Sequence, residues 1–124
     1  MAVTARNTEK IADLKGEYPD RGLILRLDLN DRESMRRAVD QTLERFGRID
    51  VLVNNAGHGY RAAVEESEPE KISQLFETNF FAPAELMKMV LPAMRAQKSG
   101  LIVNVTSIGA VRGALGNGQP DRRL

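Results

Sequence analysis

Between Ile49 and Gly57 the chain passes through a short apolar stretch, Ile49, Val51, Leu52 and Val53, and stops abruptly at Asn54-Asn55-Ala56-Gly57. Mostly β-branched residues bounded by turn formers read as a strand. Apolar side chains on both faces suit a parallel strand sandwiched between helices. In such sheets ligands bind just outside the carboxyl ends of the strands, so the asparagine-rich turn is expected to edge a ligand crevice. Its small and amide residues would let a ligand approach the backbone. Two Asn with Gly57 and Gly59 also make a plain polar turn, and the rest of the chain has to decide between the two readings.

Upstream, Ala2 to Ala5 is a stub of strand, and Asn7 or Thr8 caps a helix carrying Ile11 and Leu14 three residues apart. Tyr18-Pro19-Asp20-Arg21-Gly22 closes that helix, Leu23 to Leu27 is the next strand, and Asp28 ends it. Asn30 with Glu33 forms an approximate capping box for a helix with Met35, Ala38, Val39, Thr42, Leu43 and Phe46 on one face, terminated by Gly47. Downstream, Ser67-Glu68-Pro69-Glu70 is a second capping box with Pro in the first turn, and a long helical region runs to about Lys98. Ser99-Gly100 breaks it, Leu101 to Val105 is the last strand, and the Gly-rich stretch from Gly109 to Leu124 reads as loop. Strand and helix alternate throughout, which means a parallel α/β sheet with right-handed crossovers.

The second half of the long helix, with Phe80, Phe81, Ala84, Leu86, Met87, Val90, Leu91 and Met94, is apolar on more than one face. Pro83 lacks an N–H, and the residue four before it is Asn79, so a helix through both leaves the Asn79 carbonyl without its usual donor. Alternatively Pro83 marks a junction between helices 70–78 and 80–98; the two readings are compatible.

At 124 residues there is room for one small domain. A hydrophobic content of 42% and a charged content of 28% argue against disorder, and 18 basic against 17 acidic residues argue against a nucleic-acid binder built on a basic patch. There is no cysteine to form a disulfide, no recognisable metal-ligand spacing around His58, the one histidine, and no apolar run long enough to cross a membrane. The cytoplasm is the default expectation.

Asn54-Asn55-Ala56-Gly57 after a hydrophobic strand resembles the signature of the short-chain dehydrogenase/reductase family, NAD(P)-dependent oxidoreductases on a Rossmann-like fold. It is joined at family-like positions by Arg6 after a first strand, Asp28-Leu29 after a second, Asn79 in the long helix and Ser107 after a fourth strand. The resemblance implies a partial Rossmann-like, doubly wound parallel sheet of four strands, the family's second to fifth, over residues 1–118, with 119–124 a divergent tail. The family's first strand would lie in mid-sheet, between its second and fourth, so the expectation is a sheet with a hole.

What the resemblance implies about function is an oxidoreductase acting on an alcohol/carbonyl pair, with an alcohol or ketone as small-molecule substrate. Arg6 would meet the adenosine ribose, where a guanidinium clamps a 2′-phosphate and so favours NADP over NAD; a solvated arginine at a helix start is the plainer reading. Asp28 and Leu29 would lie beside the adenine, although Asp28 also suits a helix N-terminus for its charge alone. Asn54, Ala56 and Gly57 would border the cofactor. Asn79 would offer its backbone carbonyl to a water in a proton relay, and Ser107, with Thr106 beside it, a hydroxyl near the reacting carbonyl; a serine after a strand is also an ordinary turn residue. His58 is expected to be a loop residue. The family's helix packs against its twin, which implies a homo-oligomer through the 70–98 region.

Two family elements do not occur among the 124 residues. The glycine-rich pyrophosphate loop would precede Ala2, and the Tyr-x-x-x-Lys pair would follow Ser107, yet no tyrosine follows Tyr60 and no lysine follows Lys98. The expectation is a truncated or off-frame gene product, inactive alone. The alternative is a non-catalytic remnant that packs against a full-length relative.

Overall fold

A computed structural model describes residues 1–107. Its strands are β1 (Ala2–Ala5), β2 (Leu23–Arg26), β3 (Val51–Asn54) and β4 (Leu101–Asn104), and its helices α1 (Asp13–Glu17), α2 (Arg32–Phe46), α3 (Pro69–Phe76) and α4 (Ala82–Ala96). Single 3-10 turns occupy Thr8–Ile11 and Val64–Glu66, and a π-helical turn, Glu77–Phe81, joins α3 to α4.

Helix α2 starts where the Asp31 side chain accepts from Glu33 N–H at 2.9 Å, one residue beyond the expected cap. The Asn30 N–H donates to Asp28 Oδ1 at 3.0 Å. The helix ends at Gly47, whose left-handed φ of 73° lets its N–H reach Leu43 O at 2.7 Å, a conformation that costs glycine least. The second expected capping box does not form. Ser67 Oγ instead donates back to Val64 O at 2.7 Å, closing the 3-10 turn, and α3 starts at Pro69 without a side-chain cap.

On α4, Ala82, Leu86, Val90 and Met94 recur every four residues and are buried, as one helical face requires. They meet Met35 and Val39 of α2 and Ile49 before β3, with Leu52 and Ile102 packed against this cluster from β3 and β4. Val90 is 1% and Met35 3% exposed, and each such side chain removed from water contributes roughly 1.5–3 kcal/mol. The Gln97 side chain ties the end of α4 to the strands, its Nε2 donating to Ile49 O and Ser99 O, both at 2.7 Å.

The strands form two separate parallel pairs, β1 with β2 and β3 with β4, with Ala2 opposite Leu23 and Val51 opposite Leu101. Between the pairs lies a cavity of about 800 Å³ bordered by β1 and β3, the hole expected in mid-sheet. One expectation fails in part. Leu52 faces the helices, but its alternate neighbours Val51 and Val53 are 50% and 56% exposed, so β3 is covered on one face only. Alternation sends these valines, with Leu101 and Val103 of β4, away from α2 and α4, and no described helix covers that side. Among the described residues no helix is long and apolar enough to cross a membrane.

Candidate functional site

The carboxyl ends of β1, β2 and β3 open onto one cavity of about 480 Å³. Thr4, Ala5 and Arg6 border it from β1, Leu27, Asp28, Leu29 and Asn30 from the end of β2, and Ala56, Gly57 and His58 from the turn after β3. Gln74 of α3 and Thr78 of the π turn complete the wall. The volume lies within the range of small-molecule pockets, roughly 300–1,000 Å³. Five residues singled out in the sequence, Arg6, Asp28, Leu29, Ala56 and Gly57, are brought together here from positions up to 51 apart.

Local hydrogen bonds set this rim. Asp28 N–H donates to the buried Ser34 Oγ at 3.0 Å, fixing the turn from β2 into α2, while Asp28 Oδ1 accepts from Asn30 N–H in an Asx turn. On the opposite rim the Asn79 side chain grips His58 from both sides: Oδ1 accepts from His58 N–H at 3.1 Å and Nδ2 donates to His58 O at 2.8 Å. Asn79 thereby holds the turn that carries Ala56 and Gly57 without lining the cavity itself. It sits in the π turn, where Ala82 N–H reaches five residues back to Glu77 O and Pro83 brings no donor at all.

Asn54 and Ser107 also stand outside the cavity wall. Asn54 Nδ2 donates to Asn104 Oδ1 at 2.9 Å, pinning the carboxyl ends of β3 and β4 together, and Val105 N–H continues the ladder to Asn54 O at 2.9 Å. Ser107 is exposed two residues beyond that contact. The tail expected to loop from Gly109 to Leu124 lies outside the described residues. His58 lies in the loop after β3, as read, and also borders the cavity; Thr4, Gln74 and Thr78 were not singled out. Gln74 and Thr78 are four apart, a spacing that puts two polar groups on one helix face and could have flagged them.

The short chain dehydrogenase family model matches residues 1–118. A 3-ketodihydrosphingosine reductase of Bacteroides thetaiotaomicron is 43% identical over 90 residues, 73% of this chain and 34% of that protein. Among solved structures, a short-chain dehydrogenase from Streptomyces avermitilis is 42% identical with a TM-score of 0.87 over 93% of this chain and 42% of its own. A metagenomic short-chain oxidoreductase in complex with NADP is 29% identical, TM-score 0.85, over 94% of this chain and 55% of that one. The chain spans about a third of the length of that reductase. It belongs to the short-chain dehydrogenase family.

Proposed function

We propose that these residues form the adenosine end of an NADP site in an oxidoreductase that interconverts an alcohol and a ketone. The observation that carries this reading is the convergence of Arg6, Asp28 and the Ala56-Gly57 turn on one cavity at the strand carboxyl ends. The residues fit the group: a guanidinium after β1 suits a bidentate grip on a 2′-phosphate, and Asp28 and Leu29 after β2 border the space an adenine would take. Ala56 and Gly57 leave room for close approach, and Asn54 acts by fixing the end of β3. The metagenomic oxidoreductase solved with NADP supports the choice of cofactor.

When bound, the cofactor supplies the hydride. This chain's own part is to hold the nucleotide and to place Asn79 and Ser107 on the side where substrate would sit. A serine hydroxyl is a poor acid and a backbone carbonyl has no proton to give, while a positioned general acid contributes roughly a hundredfold or more. These residues are therefore assigned nucleotide binding, and turnover is assigned to the family's glycine-rich loop and Tyr-x-x-x-Lys pair acting together with them. Self-association through the 70–98 region belongs to the same reading, supported by the outward exposure of Phe76, Phe80 and Phe81.

Titration of NADP and NAD into the wild type and Arg6→Ala tests the cofactor assignment. NADP should bind more tightly than NAD, and the substitution should abolish the difference; tight NAD binding indifferent to Arg6 refutes it. NADPH oxidation with a panel of ketones tests the rest, and turnover by the 124 residues at the rate of a chain extended by both elements would overturn it. A second reading, a non-catalytic chain that packs against a full-length relative, draws on the bare apolar face of β3 and β4. Binding of neither nucleotide would favour it.

A further inference from the structure

Helices α2 and α4 leave between them a groove of about 370 Å³ that shares no residue with the nucleotide cavity and is lined by no strand. Its two ends differ in chemistry. At the amino-terminal end Glu85 Oε1 accepts from Arg32 Nε at 2.9 Å and Nη2 at 2.7 Å, so α2 satisfies most of that carboxylate. Lys88 reaches the other oxygen only at 3.5 Å, and Arg36, one turn after Arg32, forms no ion pair among the described residues. Two cations, one from each helix, therefore border the groove with little or no carboxylate of their own. Arg32, Arg36 and Lys88 stand against Asp40 and Glu85, one positive charge in surplus, a balance that suits a monoanion. The other end is apolar: Leu43 and Met89, half-buried against the core, with Pro92 beside them.

Pro92 supplies a second, independent feature. It lies inside α4 and has no N–H, so the carbonyl of Lys88, four residues before it, lacks its helical donor. Residues four apart share a helix face, so this acceptor opens on the groove that Lys88 and Pro92 both border. Along α4 the groove thus presents a cation, a bare acceptor and an apolar surface, in that order. We propose that it binds an N-acyl amino acid, with the carboxylate between Arg36 and Lys88, the amide N–H on the Lys88 carbonyl and the acyl chain over Leu43, Met89 and Pro92. The ligand carries its three groups in the same order as the groove. From Glu85 to Pro92 the helix rises about 10 Å at roughly 1.5 Å per residue, which leaves room beyond the carboxylate and amide for about six acyl carbons. A free fatty acid would leave the carbonyl without a donor, and a phosphate dianion would exceed the single surplus charge. The inference does not depend on the nucleotide reading.

The test is an NMR titration of the 124-residue chain with N-hexanoylglycine and with O-hexanoylglycolate, the ester in which oxygen replaces the N–H. The amide should bind saturably, shift the resonances of Arg36, Leu43, Lys88 and Met89, and bind about fivefold more tightly than the ester, as one net hydrogen bond gives. Arg36→Gln should weaken both ligands about tenfold, and Arg36→Lys should keep most of the affinity. Pro92→Ala restores the donor to the Lys88 carbonyl and should bring amide and ester to equal affinity, an effect that a merely apolar proline would not produce. Going from butanoyl to hexanoyl should tighten binding about fourfold, for two half-buried methylenes, and octanoyl should add nothing more. Equal binding of amide and ester to the wild type, a gap that persists in Pro92→Ala, or indifference to Arg36→Gln would overturn the inference. So would absence of saturation up to the solubility limit. Tightening that continues past six carbons would mean adhesion to exposed apolar surface, and that too refutes it.

Discussion

Asn79→Ala isolates what the Asn79 side chain does from what its backbone does. The substitution deletes two hydrogen bonds, His58 N–H to Oδ1 at 3.1 Å and Nδ2 to His58 O at 2.8 Å, and leaves the π turn and Pro83 in place. A neutral hydrogen bond contributes about 0.5–1.5 kcal/mol net, and since both partners are exposed, water recovers part of it, so the pair together is worth about 1 kcal/mol. That loss falls on the turn alone, because none of these atoms belongs to the core. The His58 amide should therefore exchange about fivefold faster, while the slowest amides of α2 and α4 and the urea midpoint stay nearly unchanged. Asn79→Asp gives the sharper version. The retained oxygen still accepts from His58 N–H, but the new oxygen faces His58 O without a proton, so at neutral pH the turn should open at least as far as in the alanine variant. Because the closed turn favours the protonated carboxyl, acidification should restore the donor and slow exchange at His58 relative to alanine. Unchanged exchange at His58 in both variants, or a fall in the urea midpoint matched by the core amides, would refute the assignment of Asn79 as a clamp on this turn.

A Cβ at Gly100 would lie 2.6 Å from Met94 Cγ and Sδ and 2.8 Å from its Cβ, so Gly100→Ala should destabilise by about 1–3 kcal/mol through overpacking. In a Met94→Ala background, which removes the Cγ and Sδ contacts but keeps the Cβ at 2.8 Å, the same change should cost less than in the wild type, and additivity in urea unfolding would contradict the contact. Glu85 bridges α4 to α2, its Oε1 accepting from Arg32 Nη2 at 2.7 Å, and the Arg32 guanidinium holds its carboxyl below the usual glutamate range. The depressed value means that this contribution is present above the ordinary glutamate pKa and fades as pH falls through the lowered one, so Glu85→Gln should flatten the acid limb of a stability-versus-pH curve; an unaltered limb refutes it.

Those parts of the fold that depend on neighbours in sequence were legible. Leu43 through Gly47 signals its own stop, because only a residue at ease with φ of 73° ends a helix there, and the Asn54 turn marks the end of β3 without reference to anything distant. The caps were legible only to within a residue. Asp28, Asn30 and Asp31 all carry side chains able to cap; Asp31 caps α2, while Asp28 accepts from Asn30 N–H in its own turn. Ser67 was misread for a related reason: its hydroxyl found a carbonyl behind it, in a 3-10 turn with no apolar period to announce it. The π turn left a single cue, Pro83, since residue preferences do not distinguish a bond four residues back from one five back.

At the site, the convergence of Arg6, Asp28 and Gly57 was legible through the alternation of strands and helices, which places every strand end at one edge. The roles of Asn79 and Asn54 were not. An amide side chain 21 residues from its partner, or 50 in the case of Asn54 and Asn104, gives no periodic signal. The exposure of Val51 and Val53 follows from a different gap between pattern and burial. An apolar run records which faces of a strand are suited to cover, whereas burial needs the covering element to be present, and the described helices lie on the Leu52 side alone. Ala2 and Thr4 on one side and Val51 and Val53 on the other border the space between the two strand pairs, and among the described residues no strand lies between them.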